Sequence, residues 1–203
     1  MDQNLTWLMH IVVAILALIF FAPLMGLVAL AVYVQDGGPI LFAHRRIGLN
    51  GRTFYCLKFR SMAVDAQERL ATLLANDPEA REEWERDHKL RNDPRITPLG
   101  AFLRRTSLDE LPQLLNVLCG DMSLVGPRPI VEAEVSKYGH RFSEYCAVKP
   151  GITGLWQVSG RNDTTYRTRV ALDCVYARRR NFRLDAYILA CTLPAVLARR
   201  GSY

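Results

Sequence analysis

The residues of this 203-residue chain best suited to chemistry are two adjacent carboxylates, Asp109 and Glu110, with Arg104 and Arg105 just upstream. An ionised Asp is a competent nucleophile toward phosphorus, as in aspartyl-phosphate chemistry. A polyphosphate and two carboxylates repel each other unless cations intervene. The paired arginines would supply that charge, and so would a Mg²⁺ held by Asp109 and Glu110 together with substrate phosphate. The same tetrapeptide, Ser107-Leu108-Asp109-Glu110, also satisfies a capping box, in which Ser107 and Glu110 merely open a helix. Either way the carboxylates fall in the first turn, at the positive end of a helix dipole.

Two further cation sets stand out. In Gly126-Pro127-Arg128-Pro129, two prolines fix the backbone around one Arg, whose guanidinium fork can then grip phosphate with little freedom to lose. Lys58-Phe59-Arg60-Ser61-Met62 places two more cations, Lys58 and Arg60, at a strand or strand end. There is no GxxxxGK[ST] phosphate loop, GxGxxG fingerprint, HExxH or GxSxG nucleophile elbow, and no DxD metal motif. ATPase, dehydrogenase, zinc-protease and α/β-hydrolase readings lose ground accordingly.

The elements that must position these residues begin with an almost uncharged apolar run over residues 5–34. As a straight helix it would measure roughly 45 Å, against a hydrocarbon core of about 30 Å. Pro23 lies inside it, where it removes a backbone hydrogen bond. A tilted single-pass helix and a helix-break-helix hairpin at Ala22-Pro23 both fit. No Lys or Arg precedes the run, and its length exceeds that of a signal peptide. Arg45, Arg46, Arg52, Lys58 and Arg60 follow it, so the positive-inside rule keeps the rest of the chain on the cytoplasmic face.

Residues 1–36 thus read as a membrane segment and residues 37–203 as one cytoplasmic domain of ordinary size. The net charge of +6 suits an anionic leaflet, with lipid a simpler partner than nucleic acid. Five widely spaced cysteines without a CxxC pair fit a reducing compartment and packing roles. Residues 40–59 carry short apolar stretches around Asn50-Gly51, which predicts a β-hairpin. Residues 63–91 read as a charged helical excursion with Leu70, Leu73 and Leu74 at helical spacing, interrupted at Asp77-Pro78.

Residues 101–105 close one short helix and Ser107 opens another, with Leu111, Leu114, Leu115 and Leu118 as its apolar face and Gly120 as its stop. Residues 149–161 read as a Gly-rich loop with a buried Trp156, and residues 167–180 as a helix. The stretch 184–197 is apolar, contains Pro194 and ends in Arg199-Arg200. The fold class is α+β, mostly helical, with a small β-sheet or hairpin.

Three segments, KFRSM, RRTSLDELPQLLNVLCGDMSLVGPRP and KPGITGLWQVSGR, together resemble the bacterial sugar transferase family of monotopic phosphoglycosyl transferases, over nearly the whole chain. The resemblance implies an enzyme that moves a hexose 1-phosphate from a UDP-sugar to undecaprenyl phosphate. UMP is released, and polysaccharide or glycoconjugate assembly begins at the bacterial inner membrane. It implies a re-entrant membrane hairpin, interfacial amphipathic helices, and Asp109 as the nucleophile of a ping-pong reaction with Glu110 as its partner. It further implies Mg²⁺, with Lys58, Arg104 or Arg105, and Arg128 as phosphate-binding cations.

Asp173 and Asp185 are further acidic candidates, with Asp185 favoured because LDxxIL matches the family's late motif. The family often has Ser-Pro at the hairpin bend where this chain has Ala22-Pro23, so a hydroxyl that could satisfy the freed backbone is absent. The look is that of short members that begin exopolysaccharide with galactose or glucose, without additional spanning helices. Oligomeric state is open, a homodimer included. The competing expectation is a non-catalytic, membrane-anchored basic binding or scaffold protein, for which Asp109→Asn would leave function intact.

Overall fold

A computed structural model describes residues 2–87, 90–159 and 165–197. The apolar run forms one helix, α1 (Asp2–Asp36), that continues through Pro23 without a break. The expected interruption at Ala22-Pro23 is absent. A helix of this length tolerates one missing hydrogen bond when both of its halves are held by packing. Toward its start, Ala14 is buried in a core with Leu114, Val117, Leu124, Tyr176 and Ile188. Toward its end, Val28 and Val32 are buried with Phe59 and Leu103. Its most apolar stretch is only 11% buried, leaving Leu16, Ile19, Phe20, Leu27 and Leu30 exposed.

The predicted hairpin follows as β1 (Leu41–Ile47) and β2 (Thr53–Phe59), antiparallel with His44 opposite Cys56. Its turn places Asn50 at φ 57° and Gly51 at φ 72°, the left-handed pair that favours Asn-Gly. The charged excursion forms α2 (Ala66–Asn76) and α3 (Pro78–Asp87), parted at Asp77-Pro78 as expected. In α4 (Pro98–Thr106), Thr97 caps the helix by accepting from the Gly100 amide. A Cβ at Gly100 would collide with the Ser61 carbonyl, so this glycine lets α4 lie on the segment that follows β2.

The helix α5 (Gln113–Cys119) ends at Gly120, φ 84°. Its buried face differs from the apolar one expected. Gln113, Leu114, Asn116 and Val117 are buried, while Leu115 and Leu118 are exposed at 38% and 39%. Asn116 is inside because its amide joins the hairpin: Oδ1 accepts from the Leu57 amide at 3.0 Å and Nδ2 donates to the Tyr55 carbonyl at 2.8 Å. A buried amide with both partners satisfied outcompetes a leucine for that position.

Residues 149–161, read as a loop, contain order. Strand β3 (Ser123–Val125) pairs in parallel with β4 (Gly151–Thr153), and the turn α8 (Leu155–Val158) buries Trp156. Between them lie α6 (Val135–Tyr138) and α7 (Phe142–Cys146), and α9 (Tyr166–Arg179) and α10 (Phe182–Leu197) complete the chain. A third core gathers Ile47, Ile130, Tyr138, Tyr145, Val170 and Cys174. All five cysteines are free thiols. Gly160, Arg161, Arg199 and Arg200 lie outside the described residues.

Candidate functional site

The site forms where the end of β2 meets the link between α4 and α5. Asn116 pins α5 along β2, which brings Lys58 and the carboxylate pair together across 52 positions of sequence. The capping-box reading fails: Ser107 makes no side-chain cap, sits in the left-handed region at φ 57°, and ends α4 rather than opening α5. Asp109 and Glu110 lie in the 3-10 turn Leu108–Glu110, ahead of α5, which Pro112 precedes. Left-handed backbone at a non-glycine residue costs about 1 kcal/mol or more and persists where surroundings impose it. Here it turns the chain so that both carboxylates face β2.

Lys58 Nζ donates to Glu110 Oε1 at 2.6 Å and stands 3.8 Å from Asp109 Oδ2. Asp109 is 7% exposed. Burial first, and the Glu110 charge second to Lys58 in strength, raise its carboxyl to about 6 against the pull of Lys58 and Arg104. Burial would raise Glu110 as well, but Lys58, Arg128 and Arg46 outweigh it and hold Glu110 below the usual range. The pair is therefore differentiated: Glu110 is firmly ionised, and Asp109 is about ten-to-one ionised at pH 7 with its charge weakly solvated. A weakly solvated carboxylate is the better nucleophile of the two.

A narrow, open cleft lies beside Glu110, lined by Arg46, Cys56, Lys58, Gln113 and Arg128, with Pro129 and Gln157 also in its wall. Arg128 follows β3 as the proline-flanked motif predicts. Arg104 stands at the other side, near Asp109, with Nε donating to Ser61 Oγ at 2.9 Å. Lys58, Arg104, Arg128, Asp109 and Glu110 are thus brought together.

The other candidates are elsewhere. Arg105 points outward, exposed and without an ion pair or hydrogen bond to the described residues. Arg60 turns to the end of α1, where it pairs with Asp36 and donates to the Val32 carbonyl at 3.4 Å. Strand alternation would keep Arg60, two positions on, on the face of Lys58, but β2 ends at Phe59 and the chain beyond it turns Arg60 to α1.

Asp185 is 2% exposed on α10, accepting from Tyr176 Oη at 2.9 Å and standing 3.2 Å from His10 Nε2 of α1. It ties the first half of α1 to the domain and shares no contact with the carboxylate pair. Asp173 accepts from Tyr138 Oη at 2.7 Å inside the third core, where burial raises it to about 7.

Among the described residues no group of three or more His, Cys, Asp or Glu side chains could hold a metal. Two carboxylates suffice only for an ion that completes its shell with phosphate oxygens and water. That is the ordinary way Mg²⁺ is held, so the donor set fits Mg²⁺ as a companion of a bound diphosphate.

Sequence reasoning missed three residues. Arg46 enters the sequence reading only through orientation, although it lies two positions from His44 on β1 and so shares a face with Cys56 and Lys58 across the hairpin. Gln113 lies inside the long central motif but is given no role there, and His10 lies in none of the three motif segments. For His10 the available sign is a polar residue embedded in an apolar helix.

The family model described as bacterial sugar transferase matches residues 1–199. The chain is 55% identical over 195 residues to an uncharacterized sugar transferase of Haemophilus influenzae, covering 96% of this chain and 41% of that protein. It is 55% identical over 193 residues to an undecaprenyl-phosphate galactose phosphotransferase of Salmonella typhimurium, covering 95% of this chain and 40% of that one. To the exopolysaccharide production protein ExoY of Sinorhizobium fredii it is 50% identical over 193 residues, covering 95% and 85%. The chain therefore spans about two fifths of the length of the first two relatives and most of the third.

Proposed function

Because this chain belongs to the bacterial sugar transferase family, we propose that it transfers a hexose 1-phosphate from a UDP-sugar to undecaprenyl phosphate, with release of UMP, as the first step of exopolysaccharide assembly. The observation that carries this reading is the buried, ionisable Asp109 set between Lys58 and Arg104, beside a cationic cleft. In the first half-reaction an Asp109 carboxylate oxygen bonds to the β-phosphorus as the bridging bond to the α-phosphate breaks, and UMP leaves with the electron pair. In the second, a phosphate oxygen of undecaprenyl phosphate attacks the same phosphorus and the bond to Asp109 breaks, restoring the carboxylate. Ping-pong kinetics follow.

Lys58 offsets the repulsion between Asp109 and Glu110, and its charge also draws the phosphoryl oxygens toward the nucleophile. Arg104 adds positive charge near Asp109, and Arg128 adds it in the cleft beside Glu110. Bound with the diphosphate at Glu110, Mg²⁺ would neutralise charge on the substrate and leaving group. The sugar is galactose or glucose in this reading, and the name of the Salmonella relative favours galactose.

The membrane course of α1 belongs to the same proposal. His10 is held at Asp185 and Ser123, and Asp36 at Arg60. These anchors are 26 positions apart, about 39 Å along a helix. A helix crossing upright would carry its first half through about 30 Å of lipid, away from the domain. Anchors at both ends of an unbroken α1 support a helix laid along the cytoplasmic face of the inner membrane without crossing it, with exposed apolar side chains of α1, Leu115 and Leu118 toward lipid.

The test is UMP release from a panel of UDP-sugars by the detergent-solubilised chain with undecaprenyl phosphate and Mg²⁺, beside Asp109→Asn and a chelator control. One preferred donor, silent in both controls, is the expected result. Release from none would return the chain to a binding or scaffold role.

A further inference from the structure

We infer that Arg46 binds the α-phosphate of the nucleotide donor and holds the departing UMP, an assignment that rests on the transferase reading and adds a residue outside its motifs. Three cations, Arg46, Lys58 and Arg128, line the cleft against the single carboxylate Glu110. The lining of the cleft is therefore net positive, the complement of a nucleotide-sugar diphosphate. Arg128 has no ion pair or hydrogen bond among the described residues. Arg46 is half committed: Nη1 donates to the Pro129 carbonyl at 3.2 Å, Nη2 lies 3.2 Å from His44 Nδ1, and Glu134 is 3.8 Å away.

A second, independent sign of a polar ligand is Gln113. It is 3% exposed, it lines the cleft, and its side-chain amide has no hydrogen-bond partner among the described residues. Its amide atoms keep access to the cleft, so they are placed to bond a phosphate oxygen or ribose hydroxyl there.

The cations are also ordered along the cleft. Asp109 feels Lys58 and Arg104, whereas Glu110 feels Lys58, Arg128 and Arg46. With the β-phosphorus at Asp109, the remaining charged group of the donor, the α-phosphate, belongs at the Arg128 and Arg46 end. The neutral sugar has no electrostatic reason to displace it.

This placement confines Arg46 to one half-reaction. The donor's kcat/KM reports the step in which UMP leaves. The acceptor's kcat/KM reports a step that starts after UMP has gone, so loss of Arg46 should lower only the first. Steady-state kinetics of the full chain in detergent, with its preferred UDP-sugar and undecaprenyl phosphate, would compare wild type, Arg46→Gln and Arg46→Lys.

For Arg46→Gln, donor kcat/KM should fall about 10- to 100-fold, the loss expected for a hydrogen bond to a charged group. UMP product inhibition should weaken in parallel, and acceptor kcat/KM should stay within about twofold. Arg46→Lys should recover part of the loss. Unchanged donor kcat/KM, or an equal fall in both half-reactions from lost contacts to Pro129 and Glu134, would overturn the assignment while leaving the transferase reading intact. A wild-type chain that releases no UMP from any donor would overturn both.

Discussion

Asp109→Asn should abolish UMP release and also stabilise the protein. Its carboxyl is raised from 3.8 to about 6, so the folded state holds the ionised form at a cost of about 3 kcal/mol relative to the unfolded chain. The cost is fully present above about pH 6, declines as pH falls through 6, and is gone below about pH 4, where both states are protonated. Between those limits the folded state binds more protons than the unfolded one, so stability falls as pH rises. An Asn of the same shape removes the charge and with it the cost.

At about 2–4 °C per kcal/mol for a chain of this size, the variant should melt about 6–12 °C above wild type at pH 8, as an upper bound. The gap should close toward pH 4. Thermal unfolding in one detergent across pH 4–8, followed by tryptophan fluorescence, reads this directly. Equal Tm values at pH 8, or a gap that does not shrink on acidification, would refute the account of Asp109 as a charge held against burial.

Lys58→Met leaves the two carboxylates unscreened. At 3.8 Å the lost attraction is about 1–4 kcal/mol for effective dielectrics of about 80 to 20. The acid limb of the UMP burst should therefore move upward by about one pH unit or more, and an unmoved limb in a pH–rate profile would contradict the role given to Lys58. Asn116→Ala removes both hydrogen bonds between α5 and β2 and should cost about 2–4 kcal/mol; denaturant unfolding checks it, and an equal fall in donor kcat/KM is expected as Glu110 drifts from Lys58. Asp185→Leu strands His10 and Tyr176 and should cost about 2–5 kcal/mol. Donor KM of the surviving folded protein should stay unchanged, and a large KM shift would return Asp185 to the donor site.

Local features were legible because neighbouring residues settle them. The apolar run, the Asn50-Gly51 turn, the break at Asp77-Pro78 and the stop at Gly120 each follow from backbone chemistry within a few positions. The carboxylate pair and the proline-flanked Arg128 were legible as residue types suited to phosphate. The capping box was a wrong local reading, since Pro112 and the left-handed Ser107 delay α5 until after the pair.

What the sequence by itself determined is which groups are present and where the backbone turns. Which of those groups meet was decided only by tertiary structure. Arg104 faces Asp109 while its neighbour Arg105 faces out, because adjacent positions on a helix point in different directions. Arg46 reaches the cleft because hairpin register puts it on the face of Cys56 and Lys58. Asp185, similar in type to Asp109, is claimed by His10 and Tyr176 on other helices. Burial and charge also set the pair's roles: both carboxylates are adjacent in sequence, yet one is raised to about 6 and the other held low. Such differences arise from groups distant along the chain, and they exist only once β2, α4 and α5 have packed.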